Sequence, residues 1–288
     1  MPEPRLQVTF WGTRGSISTP GRETSVYGGN TPCVLVSYGQ DAIILDAGTG
    51  LRPLGLSLAA NPRISEHHIF LSHTHWDHIQ GIPFFQPAYL PHSRIHFYGS
   101  PQKERLLEQI LTGQMTLSYF PVQMSDLPAS IQISELVTDT ISIGALQVHH
   151  EEQIYHPGGS LRFRISAGGR SVVYATDVEI DAAMDDTDPE SQAASNAQAY
   201  RTFIAGTDLL IADAQYTRAQ YAAKKGWGHS SLETVIETAR QCSVKQLALF
   251  HHDPDHTDAY FAAQEASIQQ NAPDLHTFFA REGTTLTL

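Results

Sequence analysis

Apolar residues in this chain recur in short runs, most of them closing on Gly, Asp or His. The runs are Leu6–Trp11, Cys33–Val36, Ala42–Leu45, Ile69–Leu71, Ile95–Tyr98, Ile143–Val148, Leu161–Ile165, Ser171–Ala175, Leu209–Ala212 and Gln246–Phe250. Their length and β-branched content predict buried strands. Two stretches follow a helical period instead. Arg105–Leu111 places Leu106, Leu107, Ile110 and Leu111 on one face, and Leu232–Ala239 does the same with Leu232, Val235, Ile236 and Ala239. Ser230 or Ser231 offers an N-cap to the second helix. Strands cluster early and later alternate with helices, which predicts an α/β fold of two sheets packed face to face with helices outside.

One stretch departs from this pattern. Asp181–Ala199 is rich in Asp, Ala, Ser and Gln and almost empty of large apolar residues. It reads as a mobile acidic insertion or a solvated helix. Neither an internal repeat nor a low-complexity linker interrupts the chain, so residues 1–288 are expected to form one domain.

Composition narrows the functional field. A hydrophobic content of 41% over 288 residues supports a packed core. The formal charge is −12, which disfavours broad binding to nucleic-acid backbones but permits a local metal-bearing pocket. Two cysteines, Cys33 and Cys242, exclude a disulfide scaffold and a four-cysteine zinc site; both read as buried structural thiols. No window approaches the roughly 18 apolar residues of a membrane span. The start MPEPRLQVTFWG lacks a basic segment followed by an apolar run, so no signal peptide is expected and a cytoplasmic location is.

The 15 histidines change the picture through their positions. The strand Ile69–Leu71 runs into Ser72-His73-Thr74-His75-Trp76-Asp77-His78. Imidazole and carboxylate are the ligands of catalytic zinc. Extended backbone puts His73 and His75 on one side, and the following turn brings Asp77 and His78 round to a neighbouring point. That arrangement can feed two adjacent metals, which a polar loop with incidental histidines would not do.

His73-x-His75-x-Asp77-His78 resembles the signature of the metallo-β-lactamase superfamily, and the resemblance extends over nearly the whole chain. Ile44-Leu45-Asp46-Ala47-Gly48 resembles the strand and turn before the signature, and the segment from His156 to Ile165 resembles the third histidine segment. Tyr174-Ala175-Thr176-Asp177 resembles the strand carrying the bridging aspartate, and Gln246 to Asp253 the strand ending in the last ligand. Gly228-His229-Ser230-Ser231 is similar to the histidine–serine motif of tRNase Z and related phosphodiesterases. Leu209 to Ala214 resembles the segment that pairs an acid with that histidine; the acid here is Asp213, where tRNase Z-like proteins usually carry Glu. Phe10 to Ser16, with Tyr27-Gly28-Gly29-Asn30-Thr31, resembles a bacterial group within the same branch.

The resemblance implies an αββα sandwich of two mixed sheets with helices on the outer faces and the site at one edge. It implies two divalent metal ions, with zinc foremost and manganese or iron also suited to N/O ligands. His73, His75 and His156 would hold one ion, Asp77, His78 and His251 the other, and Asp177 would bridge. His252 is the alternative to His251, since alternation lets only one of the two face the site. His149 and His150 compete with His156 and read as strand residues on opposite faces. His256 and His276 read as surface residues. His229 would act as general acid, oriented by Asp213. Asp46 would bond a ligand histidine and fix its tautomer. Arg14, between Gly12 and Gly15, offers a guanidinium to a phosphate or a structural salt bridge. Tyr119 and Phe120 offer rings to a base or a piece of core.

Three functions follow. The first is a dinuclear metal phosphodiesterase acting on a small phosphodiester such as a cyclic nucleotide. The second is a thioester or lactam hydrolase of the glyoxalase or β-lactamase type, branches that as a rule lack the His229-Ser230-Ser231 helix start. The third is an iron-bearing redox or sensing protein, which would need an electron-partner module. A tRNA 3′-processing endonuclease is the alternative within the first. The sequence shows no protruding Gly/Pro-rich basic arm of the kind such enzymes use, so extended nucleic acid is not the expected partner. Relatives in this branch are often dimers, which makes a homodimer an expectation.

Overall fold

The computed structural model describes residues 3–61, 64–101, 105–153, 155–184, 188 and 190–288. Strands β1 (Leu6–Gly12), β2 (Cys33–Tyr38), β3 (Asp41–Leu45), β4 (Glu66–Phe70), β5 (Arg94–Gly99) and β6 (Ser130–Glu135) build most of the first sheet. The second holds β7 (Thr140–Ile143), β8 (Leu146–Gln153), β9 (Ser160–Ala167), β10 (Arg170–Ala175), β11 (Leu209–Asp213), β12 (Gln246–Phe250) and β13 (His276–Phe279). The last strand, β14 (Thr285–Thr287), returns to the first sheet beside β1.

The strand orders are β14-β1-β2-β3-β4-β5-β6 and β13-β12-β11-β10-β9-β8-β7. Each sheet is antiparallel on one side and parallel on the other: β3 to β6 run parallel, as do β10 to β13. Both sheets are therefore mixed, as the resemblance implied.

The strand alternation explains the layers. Leu6, Val8, Phe10, Val34, Val36 and Phe70 meet Val148, Phe163, Ile165, Tyr174, Ile211 and Phe250 between the sheets. The opposite face of the first sheet packs against α1 (Leu51–Ala59) and, past the short α2 (Trp76–Ile79), against α3 (Leu107–Gly113). The opposite face of the second is covered by α4 (Ile180–Met184), α5 (Gln192–Ile204), α7 (Leu232–Gln241) and α8 (Asp258–Asn271), with the short α6 (Arg218–Tyr221) before α7. Among the described residues no helix is long and apolar enough to cross a membrane.

Four expectations change. The run Ile143–Val148 is not one strand; the chain reverses at Gly144 between β7 and β8, whose residues Ile143 and Leu146 face each other. The helix expected from Arg105 begins at Leu107, and Leu106 is exposed as its N-cap. Cys33 is buried in β2, but Cys242 caps the end of α7 and is only half-buried. The stretch Asp181–Ala199 is helical over much of its described part, and residues 190–199 are mostly exposed or half-buried, but it is also tied into the fold. It supplies α4 and the start of α5, burying Asp181, Ala183 and Ala197. Its residues 185–187 and 189 lie outside the described residues.

Candidate metal centre

The parallel halves of the two sheets end on the same edge, and the chemistry collects there. Asp46 follows β3, His73 follows β4, Asp177 follows β10, Asp213 ends β11 and His251 follows β12. Carboxyl ends of parallel strands are where open α/β sheets leave room for ligands. Asp46, Asp177 and His251 all take positive φ, at 60°, 54° and 60°. A left-handed residue at a strand end costs energy, and it re-aims the next side chain out of strict alternation.

Two groups of ligand-type atoms form around Asp177. His73, His75 and His156 make one, and Asp77, His78 and His251 the other; within each, the donor atoms lie within 4.8 Å of one another. Asp177 touches both. Its Oδ1 is 3.8 Å from His73 Nε2, 3.9 Å from His156 Nε2 and 3.4 Å from His251 Nε2, while Oδ2 is 3.2 Å from His78 Nε2. Asp77 Oδ2 lies 3.3 Å from His78 Nε2 and 3.1 Å from His251 Nε2. His156 Nε2 and His75 Nδ1 are 3.0 Å apart.

These residues fit divalent metal ions. His73 Nε2 is buried and finds no hydrogen-bond partner among the described residues, which is costly unless something else satisfies it. The second ring nitrogens of the set are engaged, His73 Nδ1 lying 3.1 Å from Ser72 Oγ. His78 Nδ1 bonds Asp46 Oδ2 at 2.7 Å, and His156 Nδ1 donates to the Gly228 carbonyl at 3.0 Å. Such partners hold the proton on Nδ1 and turn the Nε2 lone pair inward. Asp46 also accepts from Ser72 N, Ser72 Oγ and Tyr174 OH, so its own position is fixed.

Electrostatics agree with ligation. Burial pulls the His73, His75 and His156 imidazoles below their ordinary value, which keeps them neutral. Burial also opposes charge on Asp77 and Asp177, but neighbouring imidazoles outweigh it and hold both carboxyls well below the usual range. Burial pulls His78 and His251 down as well. The carboxylates around them win, raising His78 well above its ordinary value and His251 to about 9.

Beside the cluster lies a second device. His229 Nδ1 bonds Asp213 Oδ2 at 2.6 Å, so the short aspartate side chain reaches the imidazole. The His229 ring stacks on His251 with centroids 4.9 Å apart. Asp213 in turn accepts from the backbone N–H of Asp177 and Gln215.

Gly228 and Gly15 are required by close approach. A Cβ on Gly228 would sit 2.3 Å from His156 Nδ1, and its φ is +89°; a Cβ on Gly15 would sit 2.5 Å from His251 Nδ1. The adjacent Ser16 N–H donates to Asp77 Oδ2 at 2.7 Å.

Sequence reasoning missed what holds the His229 loop. Glu179 is buried and accepts from Tyr221 OH and from the N–H groups of Gly226 and Gly228. Asp181 accepts from Ser231 N and Thr234 Oγ1 at the start of α7, and from the Ser231 hydroxyl; Ser231 is thus the N-cap by position while its hydroxyl donates to Asp181. The visible signal was the alternation of acids in Asp177-Val178-Glu179-Ile180-Asp181.

The remaining expectations divide. His251 faces Asp77, whereas His252 is buried among Tyr27, Phe261 and Phe279 with Nε2 on the Ala280 carbonyl. Arg14 is not a phosphate ligand in this arrangement. It is fully buried, and its guanidinium donates to the carbonyls of Gly28, Asp253 and His256. His149 and His150 lie in β8 with ring nitrogens on the carbonyls of Asp139 and Thr138. His256 is half-buried, stacked on Tyr260, rather than a surface residue. Tyr119 and Phe120 sit in the turn after α3; Phe120 packs edge-on against Phe84, and Tyr119 is exposed. Two further exposed aromatics flank the site in sequence: Trp76, between His75 and Asp77, and Trp227, with Lys224 over its ring at 4.1 Å.

The chain belongs to the β-lactamase superfamily, whose domain model matches residues 42–252, and its fold is the metallo-β-lactamase fold. Within that family it is similar to the ribonuclease Z of Haloarcula marismortui, with 22% identity over 85% of this chain and 86% of that protein. Among solved structures it resembles the metallo-β-lactamase fold protein YhfI from Bacillus subtilis, with 18% identity, a TM-score of 0.70, and coverage of 99% of this chain and 100% of that one. A diphosphatase of the PhnP family is similar too, at 18% identity and a TM-score of 0.67 over 99% of this chain and 98% of that one.

Proposed function

We propose that this chain is a two-metal phosphodiester hydrolase acting on a small substrate, with a cyclic nucleotide foremost. His73, His75 and His156 would hold one ion, Asp77, His78 and His251 the other, and Asp177 both. When bound, such ions activate water and polarise a phosphoryl oxygen. Zinc suits this set of imidazoles and carboxylates.

The observation that carries the reading is the 2.6 Å bond from His229 to Asp213, placed against ligand His251. Hydrolysis adds an oxygen of water to phosphorus and breaks the bond to the leaving alkoxide. That alkoxide needs a proton. With Nδ1 held by Asp213, His229 carries the transferable proton on Nε2 and gives it to the leaving oxygen as the bond breaks. Asp213 stabilises the imidazolium before transfer and the correct tautomer after it. A thioester hydrolysis has less need of such an acid, because a thiolate leaves without a proton. The exposed rings of Trp76, Trp227 and Tyr119 are candidates to receive a base by stacking.

A second reading, tRNA 3′ processing, is favoured by the resemblance to ribonuclease Z. The charge of −12 speaks for a small ligand over a long polyanion. The test is one panel on metal-loaded protein: bis(p-nitrophenyl) phosphate, cyclic nucleotides, a precursor tRNA, a thioester and a lactam. Turnover of the diester and a cyclic nucleotide is expected. Cleavage of the precursor tRNA at one site with no cyclic-nucleotide hydrolysis would replace the first reading by the second, and turnover of the thioester or lactam alone would refute both.

A further inference from the structure

A second group of ligand-type side chains lies at the opposite end of the first sheet, unrelated to the centre described above. Strands β4 and β5 are parallel neighbours whose register sets Glu66 against Arg94, His68 against His96 and Phe70 against Tyr98. Residues 66, 68 and 70 share one face, as do 94, 96 and 98. The His68 and His96 rings therefore stack directly across the strands, with centroids 4.8 Å apart and planes within 13°. Both turn Nε2 toward one oxygen. Glu66 Oε1 is 3.0 Å from His96 Nε2 and 4.0 Å from His68 Nε2, and all three donor atoms lie within 4.8 Å of one another.

We propose that Glu66, His68 and His96 bind a separate zinc-class divalent ion that takes no part in hydrolysis. A single hydrogen bond would explain one imidazole on that oxygen; two imidazoles converging on it form a three-donor set. Ligands about 2.0–2.2 Å from a tetrahedral zinc stand a little over 3 Å from one another. The His96–Glu66 spacing of 3.0 Å is close to that, and His68, at 4.0 Å from the same oxygen, has to turn inward to join it. The supports around the donors are present. Arg94 holds Glu66 Oε2 at 3.1 Å, leaving Oε1 free to face the rings. Tyr98 OH lies 3.1 Å from His68 Nδ1, which orients that ring as outer partners of metal-binding histidines do. Tyr98 is in turn stacked on Phe70 at 4.5 Å.

Two imidazoles and a carboxylate suit zinc, nickel, cobalt or copper. Magnesium and calcium prefer all-oxygen sites. Burial and the neighbouring His96 lower the His68 pKa, so its lone pair is available at neutral pH. The fourth position would be open to water, since the His68 and His96 side chains remain 15% and 18% exposed. His68 precedes His73 by five residues, a distance of roughly 16 Å along an extended strand. An ion here would tie β4 to β5 at their amino ends while the other centre forms at their carboxyl ends.

The experiment is equilibrium dialysis of the full chain against Zn2+, with bound metal counted by plasma mass spectrometry. His68→Gln and His96→Gln should each lower the zinc content by about one ion per chain and leave hydrolysis unchanged. Asp177→Ala, which disrupts the other centre, should keep this ion. In the Asp177→Ala background, Zn2+ should also protect His68 and His96 from diethylpyrocarbonate. Zinc content equal to wild type in both Gln variants, or modification of His68 and His96 indifferent to Zn2+, would overturn the proposal. Neither result bears on the hydrolytic centre, so the two readings fail separately.

Discussion

Asp46→Asn isolates what a carboxylate behind a ligand does. Asp46 Oδ1 accepts from Ser72 N at 2.7 Å. Oδ2 gathers three donors: Ser72 Oγ at 2.8 Å, His78 Nδ1 at 2.7 Å and Tyr174 OH at 2.7 Å. An amide keeps the size, and Asn tolerates the positive φ of 60° at this position, so the backbone has no reason to move. If the amide oxygen stays on Ser72 N, its NH2 group faces all three donors. The hydroxyls of Ser72 and Tyr174 can rotate to accept. The His78 ring can accept only by moving its proton to Nε2, the atom that faces the site. The second ion, held by Asp77, His78 and His251, should then weaken by about 10–100-fold, or roughly 1.4–2.8 kcal/mol. The first ion, on His73, His75 and His156, should be nearly unaffected. Chelator competition against Zn2+ separates the two steps: wild type should release its ions at similar chelator strength, and Asp46→Asn should release one early. Unchanged affinity of both ions in a folded Asp46→Asn protein would refute the idea that Asp46 fixes the His78 tautomer.

Two other outcomes follow from the same structure. His229→Ala should retain its metal and lose about 10²–10⁴-fold in turnover on diesters with poor leaving groups, but much less on nitrophenyl esters, whose leaving oxygen needs little protonation; equal losses on both would make His229 a binding or structural residue. His67 is buried against Phe85 with Nε2 unpartnered among the described residues, and burial lowers its pKa to about 4. Its folded value lies below the unfolded value near 6.5, so its contribution is complete above pH 6.5 and fades as pH falls toward 4. His67→Leu should therefore spare the protein roughly 3 kcal/mol of the loss seen between pH 7 and pH 4 in urea unfolding, and parallel pH profiles for the two proteins would count against it.

The sequence made the heart of the site legible because four of its residues fall within six positions after one strand. His73, His75, Asp77 and His78 need no knowledge of the fold to be associated. His156, Asp177 and His251 come from three distant segments, and only the resemblance joined them to the first four. The choice between His251 and His252 turns on a left-handed residue, which alternation along a strand does not anticipate. Arg14 was ambiguous because its partners, the carbonyls of Asp253 and His256, lie near the other end of the chain. Glu179 and Asp181 were hidden for the same reason. Their partners at Gly226, Gly228 and Ser231 are 47–50 positions away, and a carboxylate that caps distant N–H groups looks in sequence like one that meets water. The layered architecture was easier to read, since strand length and β-branched content are local properties. The hairpin at Gly144 escaped because one glycine inside an apolar run is a weak turn signal.

The central claim is that the His–Asp cluster holds two metal ions which hydrolyse phosphodiesters. Anomalous diffraction at the zinc edge, from crystals of zinc-loaded protein with turnover of bis(p-nitrophenyl) phosphate measured on the same preparation, tests it most directly. Within the cluster one peak is expected among His73, His75 and His156 and a second among Asp77, His78 and His251, with loss of both and of turnover in Asp177→Ala; an ion on Glu66, His68 and His96 would give a separate peak that persists. A single peak in the cluster of the fully active protein, or two full cluster peaks in a protein without diesterase activity, would contradict it.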